Sequence, residues 1–148
     1  HIVKMCAAFN CQIIIGDAGE GALANAELRN KLGHHKVFGN RYVASHSMIR
    51  WNMRDGYTSD RTMMIDQAMM MFKNKKIEFP TYAQAEPYIN DILAEFEEST
   101  LQGRRIWRHA QTVPDDALHS FVFAWLASRI VTGTLKMYED MSNPQFNE

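Results

Sequence analysis

The run Ile13-Ile14-Ile15, leading into Gly16-Asp17-Ala18-Gly19-Glu20-Gly21, constrains this chain more than any other stretch. Successive β-branched residues favour extended backbone, and their lack of alternation predicts a strand over residues 12–16 covered on both faces. Such a strand belongs to a sheet with helices against it, so the chain reads as α/β. The glycines mark the strand exit. Asp17 therefore stands just past the carboxyl end of a central strand, where open α/β sheets place their sites. Glycine on either side of it lets a metal ion or a phosphate approach the backbone closely. The competing reading is a turn aspartate that caps the next helix. The segment is not a phosphate-binding loop, because the lysine of G-x-x-x-x-G-K-[ST] is missing, and its glycine order is not that of a dinucleotide fingerprint.

A second acidic cluster lies nearly a hundred residues further on, in Pro114-Asp115-Asp116-Ala117-Leu118-His119. Proline and acids at the start of a helix are ordinary helix-start chemistry. Adjacent carboxylates followed one turn later by a histidine also suit a hard divalent cation, because magnesium takes oxygen ligands and is held by one or two carboxylates plus water and phosphate. His119 is three residues past Asp116, on the same helical face, as a flanking ligand, a proton carrier or a satisfied histidine at a core edge. If folding brings Asp17 and Asp116 together, they can share the ions that phosphodiester-cleaving enzymes use to activate water.

The remaining pattern alternates helices and strands. Residues 2–9 read as the end of a helix. A second helix through Leu23, Ala24, Glu27, Leu28 and Leu32 ends at Gly33. Residues 41–45 read as a strand, and residues 46–57 as a hairpin or flap closing at Asp55-Gly56. A helix capped by Thr58 or Ser59 runs to about Phe72, with Ile65, Ala68, Met69 and Phe72 as its apolar stripe. Ile77-Glu78-Phe79 reads as a short strand stopped by Pro80. Residues 83–98 read as an amphipathic helix with Tyr88, Ile89, Ile92, Leu93 and Phe96 inward and Glu86, Asp91, Glu95, Glu97 and Glu98 wet. Residues 105–108 alternate like a strand. A last helix puts Leu118, Phe121, Val122, Trp125, Leu126 and Ile130 inward. Beyond Tyr138 a polar tail over residues 139–148 is expected to fray.

At 148 residues the chain fits one domain, here residues 1–138. Its net charge of −1 gives no global attraction to nucleic acid, so any DNA contact needs a local basic surface. Lys73, Lys75 and Lys76 form one such patch, and Arg104, Arg105 and Arg108 another. Each is a solvated face by default, or a phosphate grip if it flanks the acidic site. Arg50, Trp51 and Arg54 add a possible stacking flap. Cys6 and Cys11 match no zinc spacing and read as reduced thiols. His34, His35 and His46 fit no common zinc pattern either. No apolar run approaches the ~18 residues that span a bilayer.

Three stretches together resemble the carboxyl-terminal nuclease domain of tailed-bacteriophage terminase large subunits. They are Ile13-Ile14-Ile15-Gly16-Asp17-Ala18-Gly19, then Tyr57-Thr58-Ser59-Asp60-Arg61-Thr62 followed by Lys75-Lys76-Ile77-Glu78-Phe79-Pro80, and Asp115-Asp116-Ala117-Leu118-His119-Ser120-Phe121. Order and spacing agree over most of residues 2–136. The resemblance implies an RNase H-like mixed sheet flanked by helices. It implies cleavage of concatemeric double-stranded DNA with two Mg2+ or Mn2+ ions, with Asp17 and Asp116 as catalytic metal ligands and Asp115 and His119 close by. Lys73, Lys75, Lys76, Arg105, Arg108 and Arg54 would then contact DNA. It also implies an upstream ATPase domain of the same polypeptide, a procapsid portal as partner, and the cytoplasm of an infected bacterial host. The family's first catalytic aspartate sits on a strand ahead of anything in this chain. The expectation is therefore the later part of such a domain, lacking its first strands, with an exposed sheet edge and weak or no cleavage on its own. Two alternatives share part of this logic: a non-catalytic DNA-binding or assembly module, and another RNase H-like nuclease such as a transposase or junction resolvase.

Overall fold

The computed structural model describes residues 1–52, 56–110 and 112–135. Arg54, the Asp55 half of the expected turn, Tyr138 and the expected tail lie outside the described residues. The chain divides into two compact units, His1–Ser59 with Phe123–Glu148, and Asp60–Val122. No helix among the described residues is long and apolar enough to cross a membrane.

In the first unit a helix Ile2–Ala8 (α1) precedes strand Ile14–Asp17 (β1), helix Ala22–Leu32 (α2) and strand Val37–Tyr42 (β2). Strands Ile49–Asn52 (β3) and Gly56–Ser59 (β4) follow and pair antiparallel, the hairpin alternative of the sequence reading. The sheet order is β1-β2-β4-β3, with β1, β2 and β4 running parallel. This is an α/β fold with a mixed sheet, as the sequence implied.

Two details differ from expectation. First, β1 is an edge strand. Among the described residues it pairs only with β2, and all four of its residues are half-buried rather than covered on both faces. Second, β2 begins earlier than residue 41, because its interior carries Gly39 and a fully buried Asn40. Inside the sheet Asn40 Nδ2 donates to Ser59 Oγ at 2.9 Å. A buried asparagine has no apolar signature, so the hydrophobic pattern passes over it. Phe38, Trp51 and Tyr57 meet edge-on, with centroids 5.1–6.0 Å apart. That contact holds the Trp51 ring within the sheet's aromatic cluster.

The second unit contains helix Arg61–Lys73 (α3), helix Tyr82–Ile92 (α4) and an antiparallel hairpin of Glu95–Ser99 (β5) with Arg105–His109 (β6). A final helix, Asp116–Val131 (α5), gives residues 116–122 to this unit and residues 123–131 to the first. The cap of α3 is Asp60, not Thr58 or Ser59: its Oδ1 accepts from Met63 N at 3.0 Å. Ser59 is unavailable as a cap because it is buried and engaged by Asn40. Burying Met64, Ile65 and Leu118 anchors this unit, each worth about 1.5–3 kcal/mol.

The expected helix over 83–98 ends at Ile92, and its last residues are β5. The reason is tertiary. β6 offers a strand partner across a turn whose Gly103 has φ +75, and five cross-strand pairs outweigh local helix propensity. Accordingly Tyr88, Leu93 and Phe96 are exposed rather than inward, and Glu95 is buried rather than wet. Ile77-Glu78-Phe79 is not a strand. Instead Phe79 stacks on Phe72, which in turn packs against Phe121 at 4.8 Å.

Candidate functional site

The Asp17 turn is built by close backbone packing. Asn25, buried on α2, donates from Nδ2 to Asp17 O at 2.6 Å. A Cβ on Gly16 would lie 2.1 Å from Asn25 Oδ1, and one on Gly21 would lie 2.6 Å from Asp17 O. The glycines are thus required for α2 to seat against β1. The Asp17 carboxylate is half-buried and accepts from Gly21 N at 3.1 Å. That bond closes the glycine turn ahead of α2, whose N-cap is Gly21 with no side-chain cap, so Asp17 is a turn residue rather than the helix cap. In register, Asp17 neighbours Asn40, which neighbours Tyr57. Asn40 Oδ1 and Tyr57 Oη are buried with no hydrogen-bond partner among the described residues. Burial also pushes the Tyr57 hydroxyl above its ordinary pKa.

The second acidic cluster lies wholly in the second unit, and sequence reading located only part of it. Asp115 Oδ2 lies 2.9 Å from His119 Nε2, 3.1 Å from His109 Nδ1 and 3.6 Å from Arg61 Nη2. His119 thus meets Asp115, four residues back, whereas the three-residue spacing points to Asp116 as its neighbour. Asp116, next in the chain, is exposed. Asp91 joins from α4, its Oδ2 accepting from Ala117 N at 3.4 Å, so several acids gather where the α5 dipole is positive.

Glu95 and His109 complete the cluster. They are a cross-strand pair at the base of the hairpin. The Glu95 side chain is fully buried, with Oε1 ion-paired to Arg61 and 3.8 Å from both His109 Nδ1 and His119 Nε2. Its Oε2 has no hydrogen-bond partner among the described residues. Burial pushes the Glu95 carboxyl above its ordinary value; Arg61 pulls it down, and the Asp115 carboxylate adds to the rise. Burial also works on Asp115, but His119 and His109 outweigh it and hold that carboxyl low. His119 is depressed, chiefly by burial, so its neutral form is favoured.

Helix α3 locks the hairpin to this cluster. Arg61 donates from Nη1 to Trp107 O, and Asp66 accepts from Trp107 Nε1 at 2.7 Å and from Arg105. The basic residues expected to meet DNA divide accordingly. Arg105 is ion-paired to Asp66 and to Glu97 at 3.5 Å, and Arg108 is ion-paired to Glu98. Lys73, Lys75 and Lys76 are exposed at the carboxyl end of α3.

Glu95 and His109 carried one legible signal. Residues 105–109 alternate like a strand, and a strand beside Gly103 needs a partner within turn reach, which is Glu95–Ser99. A strand reading of the second half of 83–98 would have placed Glu95 opposite His109. No family model, curated protein or solved structure matches this chain.

Proposed function

We propose that this chain is part of a metal-dependent endonuclease of the terminase large-subunit type, cleaving concatemeric double-stranded DNA by two-metal phosphodiester hydrolysis, with Asp17 and Asp116 as ligands. The observation that carries the reading is Asp17 at the carboxyl end of β1, in a glycine turn, on the parallel side of a mixed sheet. The outer edge of β1 has no strand partner among the described residues, which suits an RNase H-like sheet that continues beyond it. Asp17 and Asp116 both offer hard carboxylate oxygens, the donor class that Mg2+ and Mn2+ take. When bound, such ions supply an activated water and charge for the leaving oxygen. Asp115 is then a positioning residue, held by two imidazoles beside the exposed Asp116. The lysines at the end of α3 grip phosphate without reading sequence.

Isothermal titration with Mn2+ tests this on the parent, Asp17→Asn and Asp116→Asn. Both variants are expected to lose binding by tenfold or more, about 1.4 kcal/mol. Equal binding in all three overturns the assignment. The hydrogen bond from Gly21 to Asp17 favours a second reading, in which Asp17 is a turn residue and the chain a non-catalytic DNA-binding or assembly module. Salt-sensitive DNA binding that ignores Mg2+ and survives both substitutions would support that instead.

A further inference from the structure

Glu95, His109 and Asp115 come from three separate elements: the start of β5, the end of β6 and the residue before α5. Each offers one ligand atom, and these atoms lie within 4.8 Å of one another. Metal bonds of about 2.0–2.2 Å to nitrogen and oxygen put neighbouring ligand atoms roughly 3–4 Å apart, so small side-chain rotations close the set. We propose that these three residues form a binding site for a divalent transition ion, with His119 at its edge. The site is confined to the second unit and does not require Asp17.

Two independent observations support this beyond the gathering of acids. The Glu95 side chain is fully buried, with Oε1 in the cluster, and its Oε2 has no hydrogen-bond partner among the described residues. An unpaired oxygen on a buried carboxylate is costly in a folded interior, and a cation satisfies it. The donor set is also mixed. Imidazole with carboxylates favours a borderline ion such as Zn2+, or Co2+ in its place, over Mg2+ and Mn2+, which suit oxygen ligands. His109 is 38% exposed at its side chain, which leaves a path for entry. Arg61 shares both carboxylates, so an entering ion competes with a guanidinium and binds modestly.

Cobalt(II) titration followed by visible absorption is the test, with the intact chain. The parent is expected to give the intensified bands of a four- or five-coordinate ion, displaced by Zn2+. His109→Ala removes a half-exposed ligand and should weaken binding at least tenfold. Glu95→Gln should do the same, with a thermal melt run alongside to establish that the variant is folded. Asp17→Asn should leave the bands unchanged. A parent spectrum that stays that of aqueous cobalt overturns the proposal, as does His109→Ala binding like the parent. If Asp17→Asn abolishes the bands and His109→Ala does not, the ion belongs with Asp17: this proposal falls while the nuclease reading stands.

Discussion

Residue by residue, the second unit depends on how one buried carboxyl is compensated. Glu95 is out of solvent because Arg61 meets it, and Arg61 is in turn fixed by Trp107 O. Removing one member of such a network leaves a buried charge unmatched, whereas an exposed pair such as Arg108 with Glu98 contributes little. His119 carries the pH signature. Its folded pKa lies below the ordinary 6.5, so the unfolded chain takes up a proton first as pH falls. Stability is expected to decline from about pH 6.5 down to the folded value, because protonation favours the unfolded state over that window. The decline should show as a falling melting temperature between pH 8 and pH 5.5, and it should shrink in His119→Gln. A variant with the same pH slope as the parent would remove His119 as its source.

Among the elements, the sheet depends on a close approach of β2 and β4. Gly39 faces Gly56 in the parallel register, and Gly56 has φ +96. A Cβ there would lie 2.8 Å from Gly39 O. Gly56→Ala therefore combines backbone strain with a clash against the neighbouring strand. The strain alone is worth about 1–3 kcal/mol. Gly103 provides the control. Its φ is +75, but a Cβ would meet nothing within 4 Å. Urea denaturation should show Gly56→Ala losing clearly more stability than Gly103→Ala, and equal losses would show that the contact with Gly39 relaxes freely.

For the molecule as a whole, the small net charge means that the proposed DNA contact would have to be local. Arg105 and Arg108 are already matched by acids in their own unit, so the exposed Lys73, Lys75 and Lys76 are the expected phosphate contacts. Replacing the three by glutamine should reduce the slope of log affinity against log salt by about 2–3, at roughly 0.9 per phosphate. An unchanged slope would move the interface elsewhere.

Local chemistry accounts for what was legible in the chain: an α/β fold, the strand that delivers Asp17 into its glycine turn, and the acidic start of α5 with a histidine one turn along it. Each follows from β-branching, glycine or helical spacing within a few residues. The tertiary structure alone decided that β1 lies at an edge, that Asn40 is buried and that the chain after Ile92 leaves the helix for a strand. It also decided that Glu95 and His109 join Asp115. These outcomes depend on partners distant in the chain, a serine for Asn40 and an arginine for Glu95, whose hydrogen bonds make burial of a polar group affordable where hydropathy alone would leave it in water.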